Sequence, residues 1–266
     1  MTTRGERLAM FASGLLLGAV LLVLYAPVAV GALFSVVRLQ RGQILWDTAS
    51  VQAYVHLLDN ADILTALGTT ALVAAVAVSA ATVMALALAL YVQSEGAFGR
   101  GFLELLVYLP FVMPPIVTGL SLLLFFSGLG LARDIATISI GHGVFVLAIL
   151  YRTILVRLQS LPPSLAEASA DLGATLGQTF RYVTLPYLRS ALVTGALLAL
   201  TLSFDETLIT VFLAGDRMTL PLRLWAMMRV GFTPEINALI TLVILASIGL
   251  AVGVAARLRG AGRLNV

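Results

Sequence analysis

Residues 167 to 186 read Glu-Ala-Ser-Ala-Asp-Leu-Gly-Ala-Thr-Leu-Gly-Gln-Thr-Phe-Arg-Tyr-Val-Thr-Leu-Pro. This polar, glycine-punctuated stretch lies between two apolar runs, from about Ile135 to Leu155 and from about Ala191 to Ala214. Each run has the length of a membrane span, for which roughly 20 mostly apolar residues are needed. Ser164 precedes Glu167 by three positions, the spacing of a capping box, so a short helix is expected from about Leu165 to Leu172. Gly173 can adopt a left-handed conformation and end that helix. A second helix is expected from about Leu176 to Leu185, with Pro186 breaking or redirecting the chain into the next span. A short rigid helix lying across a membrane face can pass a rigid-body push into a bundle of spans.

The composition says membrane before any motif is considered. Of the 266 residues, 60% are hydrophobic and 11% charged, against about 45–50% and about 25% in an ordinary soluble domain. Six runs qualify as spans: about Leu8–Phe34, Ile63–Val92, Phe102–Ser127, Ile135–Leu155, Ala191–Ala214 and Ile236–Ala256. Arg4 and Arg7 ahead of the first run imitate a signal peptide, but the run far exceeds an apolar signal core of about 7–15 residues, so it reads as a retained helix. Backbone in lipid must satisfy its own hydrogen bonds, which makes these runs helices. The expected fold is an all-α integral membrane protein with six transmembrane helices, forming a single domain over residues 1–266.

Orientation follows from arginine in the flanks. With the N-terminus in the cytoplasm, that side holds Arg4, Arg7, Arg100, Arg152, Arg157, Arg181, Arg189, Arg257, Arg259 and Arg263. The outer side then holds Arg38, Arg41, Arg133, Arg217, Arg223 and Arg229. This imbalance predicts that both termini and the 160–190 loop are cytoplasmic. Two outer segments, 35–62 and 215–235, are longer than turns and carry Trp46, Tyr54 and Trp225. Such residues favour the membrane interface. Each segment reads either as an interfacial cap on the bundle or as a docking surface for an extracytoplasmic partner.

The sequence excludes several chemistries. It has no cysteine, and all 16 basic residues are arginine. Without lysine there is no P-loop, and therefore no ordinary nucleotide-hydrolysing site in this chain. No hydrolase motif and no paired histidines occur, so no catalytic or metal residues are assigned, and nothing suggests nucleic acid. Asp205 and Glu206 stand within the fifth run, about 12 Å from its outer end at helical rise. Acidic residues at that depth are costly and need a partner. As neighbours on one helix they would lie about 100° apart. They read either as structural groups paired with an arginine or a helix terminus, or as an anionic lining for a cationic solute. Glu104, four residues after Arg100, is expected to form an i,i+4 pair with it. His142, between Gly141 and Gly143, is expected to be a packed, hydrogen-bonded core residue. Pro110, Pro114 and Pro115 are expected to kink the third span.

The 167–186 stretch resembles the "EAA loop" of ABC importer membrane subunits, whose pattern is E-A-A, three residues, G, nine residues, I-x-L-P. Glu167, Ala168, Gly173, Leu185 and Pro186 match at that spacing, while Ser169 replaces the second alanine and Val183 the isoleucine. The similarity extends over roughly Leu103 to Leu245. It includes Tyr108-Leu109-Pro110 through Ile116, Leu202 to Glu206, Leu220-Pro221-Leu222, Val230-Gly231 and Pro234 to Leu239. Together these segments look like the second permease subunit of spermidine/putrescine importers. The resemblance implies the type I ABC importer permease fold, with a core homologous region of about 63–256, a cytoplasmic coupling helix in the loop 160–190, and residence in a bacterial inner membrane. It implies that Glu167, Ala168, Ser169, Gly173, Leu185 and Pro186 form the socket for an ATPase; from their depth in an otherwise uncharged span, at least one of Asp205 and Glu206 is expected to line the substrate pathway. The implied partners are a homologous second permease, two copies of a P-loop ATPase carrying ATP and Mg, a periplasmic solute-binding protein and the lipid bilayer. No cofactor is implied for this chain. Importers of phosphonate, opine, 4-aminobutyrate, thiamine and iron share the loop, so it fixes the machine and not the cargo. A self-sufficient secondary transporter is the rival class, but no convincing repeat relates the two halves of the sequence.

Overall fold

The computed structural model describes residues 4–40, 43–94, 96–230 and 233–262. Arg41, Gly231 and Arg263, used above for charge and similarity, lie outside the described residues. The chain divides into two compact units, residues 62–223 and a second made of residues 1–61 with 224–266.

The first unit begins with α3 (Ala61–Gln93), followed by α4 (Arg100–Val112), α5 (Pro115–Gly128) and α6 (Ile135–Gln159). Then come α7 (Pro163–Asp171), α8 (Leu176–Thr179), α9 (Leu185–Asp205) and α10 (Leu208–Leu213). Its core joins Ala81, Ala85 and Ala89 of α3 to Val146, Leu150, Tyr151 and Ile154 of α6 and to Leu188 and Ala199 of α9. The alanines at every fourth position share one helix face. Small residues there allow close helix approach, which matters in lipid because apolar side chains gain nothing by leaving it. A second cluster joins Val73, Phe126, Ile138, Ile209 and Leu213.

The second unit contains α1 (Arg4–Phe34), α2 (Gln52–Asp59) and α12 (Pro234–Gly262), with α12 contacting both others. Between α1 and α2 stand two three-residue strands, β1 (Arg38–Gln40) and β2 (Gln43–Leu45), paired antiparallel with Leu39 opposite Ile44. The all-helical expectation is corrected by this small hairpin. The segment is held by side chains: the Tyr54 hydroxyl meets Ser35 Oγ at 2.6 Å, and the Arg38 N–H donates to Thr48 Oγ1 at 3.1 Å. α11 (Leu220–Val230) carries Trp225, so that part of the 215–235 segment is helical.

Among the described residues four helices are long and apolar enough to cross a membrane: Met10–Phe34 within α1, α3, α6 and the continuous stretch Leu176–Asp205. The expected third span is not one helix. α4 and α5 meet at 110° across Met113 and Pro114, and count as a fifth crossing only if taken together. The physical cause is the Pro114-Pro115 pair. A residue before proline is driven out of the helical region, and Met113 and Pro114 take ψ of 145° and 132°.

Candidate functional site

The loop between α6 and α9 is closed at its base by Tyr187. Its hydroxyl donates to the Ser160 carbonyl at 2.8 Å, and the Arg157 guanidinium carbon lies 4.0 Å from the ring centroid. Arg157 Nε also donates to the Tyr187 carbonyl at 3.3 Å. The two ends of the loop are thereby tied to each other. Within it, the Ser169 and Thr179 hydroxyls bond at 2.9 Å and hold α7 to α8.

The helix expected at Leu165 begins earlier. α7 starts at Pro163, and the Ser164–Glu167 capping box is not formed. Pro162-Pro163 explains this: proline at the first helical position has its φ preset and no N–H needing a cap, which leaves Ser164 already inside the first turn. A reciprocal box forms instead at Thr175, whose N–H donates to Gln178 Oε1 at 2.7 Å while its hydroxyl accepts from the Gln178 N–H at 3.4 Å. The signal was present in the sequence as Thr-x-x-Gln.

Gly173 ends α7 with φ +77°. Its N–H donates to the Ala170 carbonyl at 2.8 Å, and the Ala174 N–H donates to the Ser169 carbonyl at 3.1 Å. Those are the two bonds of a Schellman motif, with glycine at the left-handed position. Pro186, by contrast, does not break the chain. The helix runs unbroken from Leu176 to Asp205 because residues Phe180–Thr184 form a π turn, in which the Leu185 N–H reaches the Phe180 carbonyl. The widened turn absorbs the missing proline N–H and the crowding of its ring against the preceding turn.

Glu167 and Ala168 lie on α7, which buries no residue. Leu172 and Leu176 flank the Gly173 turn with 89% and 91% of their surfaces exposed. Tyr182 is exposed as well. These apolar side chains, not singled out in the sequence reading, give the loop an exposed apolar surface around the Gly173 turn.

Asp205 and Glu206 do not share a helix. Asp205 is the last residue of α9 and is exposed, whereas Glu206 lies in a break before α10 and is buried. The Ile209 N–H donates to Glu206 Oε1 at 2.9 Å, satisfying one of the orphan donors that open α10. The expectation of two carboxylates about 100° apart on one continuous helix is thus corrected. The local cause is the run Asp-Glu-Thr, whose side chains offer the backbone alternatives to helical hydrogen bonds. Thr207 Oγ1 also donates to the Asp205 carbonyl at 3.3 Å.

His142 is the packed core residue expected from its sequence context, 1% exposed. Nδ1 bonds Ser203 Oγ at 2.8 Å and Nε2 bonds Thr210 Oγ1 at 2.9 Å. Among the described residues Glu104 does not pair with Arg100; the Tyr151 hydroxyl donates to its Oε1 at 3.1 Å. Tyr151 is fully buried and competes successfully because a neutral donor inside the bundle needs an acceptor, whereas Arg100 at the helix end is solvated.

The family model described as "Binding-protein-dependent transport system inner membrane component" matches residues 81–262, which include the loop, His142 and Asp205-Glu206. The chain belongs to this family. The putrescine transport system permease protein PotI of Escherichia coli (strain K12) is 36% identical over 229 residues, covering 83% of this chain and 81% of that protein. The spermidine/putrescine transport system permease protein PotC of Haemophilus influenzae (strain ATCC 51907 / DSM 11121 / KW20 / Rd) is 30% identical over 208 residues, covering 78% and 81%. Among solved structures, a bacterial ABC transporter involved in import of the acidic polysaccharide alginate superposes with a TM-score of 0.74. That match covers 96% of this chain and 98% of that one at 18% sequence identity, and so speaks to the fold alone. For this inner-membrane transport component, the two regions built above, an exposed polar loop and a broken span, are therefore parts of a solute permease.

Proposed function

We propose that the chain is one membrane subunit of an ATP-driven importer and forms half of a pore for a small organic cation, a polyamine such as putrescine or spermidine. The observation that carries the cargo is Asp205, an exposed carboxylate at a break in an apolar span, in a chain whose relatives bear putrescine and spermidine/putrescine names. The C-terminal end of α9 and Asp205 together concentrate negative charge, because a helix C-terminus carries about half an elementary negative charge. Such a site must bind a cation weakly enough to release it.

The machine comprises this chain, a homologous second permease, two P-loop ATPases that carry ATP and Mg, and a periplasmic binding protein that delivers the solute. The chain forms one transmembrane domain over residues 1–266, with its homologous core at about 63–256. It crosses the membrane six times with both termini in the cytoplasm. The bent α4–α5 pair serves as the third crossing and α12 as the last. The coupling loop 160–190 docks in the ATPase through Glu167, Ala168, Ser169, Gly173, Leu185 and Pro186. Support for the docking comes from α7, which buries no residue, and from the exposed Leu172 and Leu176.

Because the chain has no cysteine, single cysteines test the topology cleanly. Cysteine at Ser164 or Gly262 should resist an impermeant thiol reagent applied outside intact cells, and cysteine at Gln43 or Asp216 should react. For the cargo, Asp205→Asn removes charge while preserving shape. Uptake of labelled putrescine or spermidine at limiting solute should fall while the ATPase still copurifies. Wild-type uptake by Asp205→Asn, and by its combination with Glu206→Gln, refutes the cation lining. External labelling at Ser164 refutes the topology and with it the docking loop.

A further inference from the structure

A buried relay crosses the break between α9 and α10. Thr210 Oγ1 donates to the Glu206 carbonyl at 2.8 Å. A hydroxyl has one proton, so Thr210 must accept from His142 at its 2.9 Å contact. Nε2 of His142 therefore carries the proton, and Nδ1 accepts from Ser203 Oγ at 2.8 Å. The donors run in one direction: Ser203 on α9 to His142 on α6, His142 to Thr210 on α10, and Thr210 to the Glu206 carbonyl in the break. His142, Ser203 and Thr210 are all buried. The neutral ring thus makes one bond to each side of the break.

The backbone is shaped to let this happen. A Cβ at Gly141 would lie 2.5 Å from Leu213 Cδ1 and 2.8 Å from Ile209 Cγ2. Only glycine allows α6 to approach α10 so closely beside the histidine. Thr137 Oγ1 on the same helix lies 3.0 Å from the Leu213 carbonyl, and its single proton is shared between that carbonyl and the Asp134 carbonyl at 2.8 Å. α10 thus lies against α6 at His142 and beside Gly141.

We propose that His142 is a positioning residue for transport: through Ser203 and Thr210 it fixes the angle between α9 and α10, and so presents Asp205 to the solute while Glu206 is turned inward as a cap. This inference rests on Asp205 facing the pathway. It goes beyond that reading by assigning the geometry of the site to residues that never touch the cargo. Loss of either hydroxyl removes one arm of the clamp, leaving a buried group unpaired. The spread of α9–α10 angles widens, and Asp205 spends less time where the solute meets it.

The test uses the assembled importer in proteoliposomes. Ser203→Ala and Thr210→Val each delete one arm, and Thr210→Ser restores the hydroxyl. Spin labels on cysteines at Leu198 and Val211, exposed positions on the two sides of the break, report the angle as a distance distribution. The two deletions should broaden that distribution and raise the half-saturating solute concentration about three- to tenfold, the range expected from one buried hydrogen bond. Maximal uptake should change less, and Thr210→Ser should return both readouts toward wild type. An unchanged distance distribution in both deletions overturns the clamp. A broadened distribution with unchanged half-saturation overturns its role in presenting Asp205. Asp205→Asn, measured alongside, judges the underlying reading separately, because its uptake tests the carboxylate while its distance distribution should stay that of the wild type.

Discussion

Gly173 offers a test in which backbone conformation and surface contact predict opposite orders. Its φ of +77° is one that L-residues with a side chain adopt poorly, yet a Cβ there would meet nothing within 4 Å. Gly173→Ala therefore carries no steric cost inside the chain. Its whole penalty is conformational, about 1–2 kcal/mol for a left-handed L-residue. That corresponds to roughly a five- to thirtyfold shift between the turned loop and alternatives lacking the Schellman bonds. Asparagine is several-fold enriched at positive φ, so Gly173→Asn should recover most of the loss despite being larger. If the position matters because a side chain would collide with the docked ATPase, the order reverses and asparagine is the worse of the two. The assay is retention of the ATPase on the purified membrane subunits, followed by solute uptake in proteoliposomes. Wild-type behaviour by Gly173→Ala, or Gly173→Asn falling below it, refutes the claim that the turn itself is what the motor requires.

Three further outcomes follow from single features. Gly215 also has positive φ, +58°, but there a Cβ would lie 2.6 Å from the Arg133 carbonyl oxygen. Gly215→Ala should lower the thermal midpoint in detergent, and Gly215→Asn should not rescue it, in contrast to Gly173. Leu172→Ser and Leu176→Ser should weaken ATPase retention with little change in the permease's own melting, since each side chain is about nine-tenths exposed; an unchanged ATPase affinity would remove these apolar side chains from the docking surface. The Asp134 carboxyl is held below the usual carboxylate range, first by the Ile135 N–H and then by Arg217, whose Nε is 2.7 Å away. A depressed value stabilises the folded state above the ordinary carboxylate range, and that contribution is lost as pH falls through the lowered value. In Arg217→Gln the part of this acid-side loss that depends on the ion pair should disappear, and high salt should mimic the variant because the pair is exposed. Identical pH profiles for the two proteins would show that the pair does not contribute.

Much of this molecule was legible from its residues because lipid imposes a strong constraint: apolar runs of sufficient length must be helices. The spaced loop motif, the left-handed Gly173 and the buried character of His142 were legible for the same kind of local reason. The break between Met113 and Pro115 is sharper than the expected kink, but its cause, two adjacent prolines, is written in the chain. What sequence reasoning missed are features settled by competition between local and distant partners. Ser164 had the spacing of a cap, yet Pro163 started the helix first and the cap formed at Thr175. Pro186 had the chemistry of a helix breaker, yet a π turn carried the helix through it.

The sequence by itself determined a membrane-embedded helical permease, its polar loop and the adjacency of two carboxylates, since composition, run length and spacing are local properties. The run Asp-Glu-Thr splits the pair locally; only the tertiary structure decided that Asp205 is exposed and Glu206 buried. The contacts that tie both sides of the break to α6 join His142 to Ser203 and Thr210, 61 and 68 positions away. Hydrogen bonds between residues that far apart exist only once α6, α9 and α10 have packed, and no pattern along one helix can announce them.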